Sequence, residues 1–127
     1  MEVKELRIGN LIDRTDYICK VIGIDILKND EGTIITEPLD FKGERFVVQE
    51  QKPIPLTEEW LIKFGFRCRF DIGYNGWYSP NILGESIRIF EVENGWFKYS
   101  SAHTVIKNLH QLQNLYYALT NEELTIK

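Results

Sequence analysis

Apolar positions along this chain alternate between the two-residue rhythm of strands and the three-to-four-residue rhythm of helices. Residues 6–12 form an apolar run interrupted by Gly9 and Asn10. Over residues 17–27, Ile18, Ile22, Ile24 and Ile26 share a parity with Lys20, while Cys19 and Val21 occupy the other. Apolar residues on both parities predict a strongly bent strand with Gly23 at the bend or bulge. Asn29-Asp30-Glu31-Gly32 is a turn cluster, followed by strands at 33–36 and 45–49 around a loop at 38–43. Short strands at this spacing predict a curled N-terminal β unit, with an SH3-like barrel as its form.

Helix punctuation follows. Pro53 and Pro55 keep the chain extended, and Thr57 is placed to cap a helix whose first turn carries Glu58 and Glu59, where acidic side chains suit the dipole. Leu56 and Leu61 have the spacing of a hydrophobic staple, and Gly65 is a natural left-handed stop. Asn75-Gly76-Trp77-Tyr78 is then echoed by Asn94-Gly95-Trp96-Phe97. Asn-Gly between strand-like flanks is a strong hairpin signal, so turns are expected at 75–76 and 94–95, pairing Val92 with Phe97 and Phe90 with Tyr99. The last segment reads as a helix capped by Asn108 and ended by a left-handed Asn121, with Leu109, Leu112, Leu115, Tyr116 and Leu119 as its core stripe. Leu124 and Ile126 follow as a tail expected to fold back. The fold class is α+β: a curled β unit, a short helix, an antiparallel double-hairpin sheet and a C-terminal helix packed on it.

At 127 residues the chain has room for one domain, here divided into a β-rich part at 1–50 and a helix–hairpins–helix part at 51–127. With 43% hydrophobic and 27% charged residues, disorder and coiled-coil character are excluded. No apolar run is long enough for a membrane helix, and the N-terminus lacks the apolar core of a signal peptide. The expected location is therefore cytoplasmic, with no membrane partner. The net charge is −4, and the acid excess sits in residues 1–50 with 7 Lys/Arg against 11 Asp/Glu, residues 51–127 carrying 8 of each. A duplex binder usually shows a basic face at the scale of the whole domain, and none is visible here.

Candidate chemistry is sparse. Cys19 and Cys68 form no redox or zinc pattern and read as unbridged core thiols. His103 and His110 lack the spacing of a metal motif, so neither a metal nor a cofactor is expected. Glu91 and Glu93 share a strand face where an acid/base pair is conceivable, but a solvated edge explains them more simply. Gly73-x-x-Gly76 lacks the lysine of a phosphate loop. The stretch from Lys63 through Tyr78 interleaves Lys63, Arg67 and Arg69 with aromatics including Trp77, the composition of a single-strand nucleic-acid platform. Strand alternation, however, puts those arginines and aromatics on opposite faces. On the final helix, His110, Gln113 and Tyr117 read as an outer polar-aromatic strip for a homodimer or protein-partner contact.

Three phrases stand together in order: ELRIGN at 5–10, PIPLTEEWL at 53–61 and HQLQNLYYALT at 110–120. In these the chain resembles a family of small uncharacterised proteins of Bacteroidales genomes and their phage-like or mobile elements. That resemblance implies no catalytic residue and no cofactor. Asn121 stands where the family phrase often has Gly, and both tolerate the left-handed conformation. The expected function is a non-enzymatic binding or accessory protein, with a weak single-stranded nucleic-acid binder as the alternative and a small hydrolase last.

Overall fold

The chain divides between Ile54 and Pro55 into two compact units. The structure, a computed structural model, describes residues 5–14, 17–26, 32–39, 46–48, 52–71, 74–80, 87–92, 96–99 and 104–126.

The first unit is an antiparallel meander of β1 (Leu11–Arg14), β2 (Tyr17–Ile26), β3 (Gly32–Pro38) and β4 (Phe46–Val48), hydrogen-bonded in chain order. Among the described residues β4 does not return to β1, so the sheet is open and the expected barrel does not close. The turn before β1 is built by two residues. Gly9 takes φ 101°, accessible to glycine, and donates to the Val21 carbonyl at 2.8 Å. Asn10 is fully buried, and its Oδ1 accepts the Arg7 amide at 2.7 Å. The expected bulge is present, because the β2–β3 register slips between Val21 and Gly23. A Cβ at Gly23 would stand 3.3 Å from Ile35 Cδ1, so glycine lets the bent strand approach its neighbour. Before the bulge the buried parity is Cys19 and Val21, not the isoleucine parity.

The second unit opens with α1 (Glu58–Lys63). Thr57 caps it by accepting the Trp60 amide at 3.4 Å, Leu56 and Leu61 are both buried, and Gly65 reverses the chain with φ 84°. A five-stranded meander follows: β5 (Arg67–Asp71), β6 (Tyr74–Tyr78), β7 (Arg88–Glu91), β8 (Phe97–Tyr99) and β9 (Val105–Ile106). It leads into α2 (Leu109–Thr120), which packs on the sheet. The two helices start side by side, since Pro55 bridges Asn108 and the Leu56 amide donates to the Lys107 carbonyl at 2.9 Å. Gln111 Oε1 accepts the Asn108 amide at 3.0 Å, closing the start of α2.

Two expectations about the hairpins are corrected. Asn75 and Gly76 lie inside β6, with Arg69 opposite Gly76 and Asp71 opposite Tyr74. No turn is made at 75–76, and Gly76 does not have positive φ. This register sets Trp77 between Cys68 and Ile89 on the buried side. In the second hairpin Glu91 faces Phe97 and Ile89 faces Tyr99. That is one residue away from the expected pairing. Its Asn94-Gly95 lies outside the described residues. A one-residue slip exchanges the faces of every side chain.

The α2 expectation also changes. The buried stripe is Leu109, His110, Leu112, Gln113 and Tyr116, while Leu119 is 49% exposed. The helix ends as expected at Asn121, with φ 59° and ψ 23°, and Leu124 folds back into the core while Ile126 stays exposed. Since a β-branched residue in the left-handed region costs about 1–2 kcal/mol, Asn121→Val is expected to lower stability by that amount in a denaturant titration. Asn121→Gly should leave it unchanged or slightly raised.

Candidate functional site

Strand alternation combined with the observed register gives the second sheet two unlike faces. Phe66, Cys68, Trp77, Ile87, Ile89, Phe97 and Ile106 share the inner face, and most of them are buried. The outer face collects Arg67 and Arg69 from β5, Tyr78 from β6, Arg88 and Phe90 from β7, Lys98 from β8 and Val105 from β9. Trp96 and Lys107, just outside β8 and β9, continue the same alternation. Arg67, Arg69, Trp96 and Lys107 are exposed, and Tyr78, Arg88, Phe90 and Lys98 are half-buried.

These groups are in register with one another. The Arg69 guanidinium lies 5.4 Å from the centre of the Tyr78 ring. Arg88 lies 5.2 Å from the same ring and 4.3 Å from Phe90, forming a ladder Arg69–Tyr78–Arg88–Phe90 across three strands. Arg88 passes over Gly76, where a Cβ would stand in ordinary contact with its Nε at 3.4 Å. At the other side of the face the Lys107 ammonium stands 4.2 Å from the Trp96 ring centre. All four distances fall within the range of cation–π attraction. The backbone parity of the face includes one acid, Asp71, at the far end of β5.

Of the residues singled out for nucleic-acid contact, the structure brings Arg67 and Arg69 to this face and leaves two elsewhere. Trp77 is 5% exposed, on the inner face, with its Nε1 donating to Glu91 Oε1 at 2.9 Å. Lys63 lies on α1, with its ammonium 4.6 Å from the centre of the Trp60 ring. The two Asn-Gly-Trp copies thus present their tryptophans to opposite sides, and the outward one is Trp96, 41% exposed. Tyr78 lies in the stretch read from the sequence, whereas Arg88, Phe90, Trp96, Lys98 and Lys107 do not. Their signal was present in Arg88-Ile89-Phe90 and Trp96-Phe97-Lys98, where a cation and a ring flank one core residue. The proposed α2 strip does not form, because His110 and Gln113 are buried and only Tyr117 of the three is exposed.

A second cluster lies where α1 meets the inner face. Glu58 shares a side-chain hydrogen bond with Glu91, and that bond, the Glu91 charge and some burial raise its pKa above the usual carboxylate value. Neither cysteine is in a disulfide; Cys68 is exposed rather than a core thiol, whereas Cys19 is buried. Desolvation, followed by the Glu91 and Glu58 charges, pushes the Cys68 thiol up, which is opposite to the activation of a nucleophile. Carboxyl groups in hydrogen-bond contact are also closer than the pairs that flank a glycosidic bond.

The raised pKa has a definite sign. The folded state holds the Glu58 proton more tightly than the unfolded chain, so protonation adds stability as pH falls through the raised value. At neutral pH the pair repels. Glu58→Gln is therefore expected to raise the melting temperature at neutral pH, with the gain shrinking as the pH approaches 4.5, the ordinary glutamate value. A gain independent of pH would show that the carboxyls do not interact.

Among the described residues, no group of three or more His, Cys, Asp or Glu is placed to hold a metal. No helix among them is long and apolar enough to cross a membrane. No family model, curated protein or solved structure matches the chain, so function is read from the outer face itself.

Proposed function

We propose that the chain is a non-enzymatic binding protein whose contact surface is the outer face of the five-stranded sheet and whose partner is anionic. One observation carries this reading: among the described residues, five cations and three rings from successive stretches of the meander share one face. Like charges gathered on one face repel one another, and an anionic partner relieves that repulsion while gaining steered encounter. Arg69 and Arg88 are also held against rings, so less side-chain entropy is lost when they meet a ligand. An accessory role among phage-like or mobile-element genes belongs to the same proposal and fits action by contact rather than catalysis.

Inorganic polyphosphate is a suitable probe because it offers charge and nothing else. Titration should show binding that weakens as salt rises, and the double variant Arg67→Glu/Arg69→Glu should abolish it while melting at nearly the wild-type temperature. Undiminished binding by the folded double variant would remove this face from the reading.

A further inference from the structure

We infer that the anionic partner is single-stranded nucleic acid, with bases stacked on the ring–guanidinium ladder and on Trp96, and phosphates held by Arg67, Lys98 and Lys107. This assignment rests on the outer face being the binding surface. A ligand that needed charge alone would not call for an exposed ring such as Trp96 among the cations. Here Tyr78, Phe90 and Trp96 come from three neighbouring stretches of the meander and interleave with the cations. Unpaired bases offer flat π surfaces to stack on aromatic rings and on guanidinium planes, and the strand between them carries one phosphate per step. A base pair inside a duplex hides those surfaces, and the described sheet presents a pleated face rather than a helix to enter a groove.

The spacing is compatible with such a strand. Neighbouring strands lie about 4.8 Å apart, so the path from Arg69 on β5 to Lys107 beyond β9 covers roughly 19 Å. That is a site of a few nucleotides, crossing the strands along the row Arg69–Gly76–Phe90–Lys98. Gly76 sinks the middle of this row by the depth of a side chain. Arg88 lies over the depression and is held from both sides by Tyr78 and Phe90. Its guanidinium is thereby a fixed charge set between two rings rather than a mobile one. Trp96, the most exposed of the three rings, marks the end of the path, with Lys107 beside it.

The test compares three strands on the intact protein by fluorescence anisotropy. They are an oligothymidylate of about 15 nucleotides, within the size range of single-strand sites, an abasic strand of equal length, and the corresponding duplex. The oligothymidylate should bind about tenfold more tightly than the abasic strand, because stacking on even one ring is worth that much. With three phosphates contacted, its affinity should fall about twentyfold between roughly 50 and 200 mM salt. Trp96→Ala should reduce the preference for the strand with bases, leaving the share that rests on Tyr78 and Phe90. The exposure of Trp96 keeps this variant folded, and the wild-type comparison of strands needs no variant at all. If the abasic strand or the duplex binds as tightly as the oligothymidylate, while polyphosphate still binds, the nucleic-acid assignment is overturned and the anionic surface stands. If neither the oligothymidylate nor polyphosphate binds, both fall.

Discussion

Phe64→Ala is expected to cost about 3–5 kcal/mol, among the largest penalties any single truncation in the second unit should produce. Phe64 is 1% exposed, and its ring stacks on Trp60 with centroids 5.8 Å apart. It closes the C-terminal end of α1, where its amide donates to the Trp60 carbonyl at 3.0 Å. Truncation leaves a cavity under a two-turn helix that propensity alone does not sustain, so α1 should fray along with the core. Against a net stability of roughly 5–15 kcal/mol, a loss of that size is easily seen in a urea titration. Ile62, on the same helix but 62% exposed, is the control, and Ile62→Ala should change stability by less than about 0.5 kcal/mol. Equal losses from both would mean that α1 buries a different face.

On α2, the leucine chosen decides the outcome. Leu112→Ala should cost about 2–5 kcal/mol, because the side chain is wholly buried between the helix and the rest of the core. Leu119→Ala should cost far less, since that residue is half in solvent. Reading the helix from its leucines alone gives the two equal weight. Differential scanning calorimetry of the two variants separates the faces, and a large loss for Leu119→Ala would restore the stripe that the leucine spacing suggests.

What was legible in the residues was local. Thr57, Gly65, Asn108 and Asn121 act on backbone groups within a few positions, so their roles as cap or stop follow from chemistry alone. Gly23 is similar, because a strand with apolar residues on both parities has to bend somewhere. Register was not legible. Asn75-Gly76 carries as strong a local turn signal as Asn94-Gly95, yet it lies inside β6, where Trp77 pairs with Ile89, a residue beyond the hairpin. The same gap hid the outer face. Arg67 and Arg69 were visible as candidates, but the rings beside them come from β6, from β7 and from the start of β8. Opposite faces within β5 say nothing about who sits across from it. His110 and Gln113 were misplaced for a related reason: polar residues are assumed to face water, and here both are carried on the buried stripe of α2.

The strand order places β5 and β9 at the two margins of the second sheet, each with one row of peptide groups that no described strand pairs. Such margins invite a second copy to add its own strand and seed aggregation. β9 guards its side by being only two residues long. β5 is longer, and Arg67 and Arg69 stand on it at alternate positions, so another β5 approaching edge to edge would bring arginine against arginine. The same two side chains thus oppose pairing at this margin by like-charge repulsion, whatever else they hold. Replacing them with alanine should make the protein clump in proportion to its concentration, and replacing them with glutamate should not.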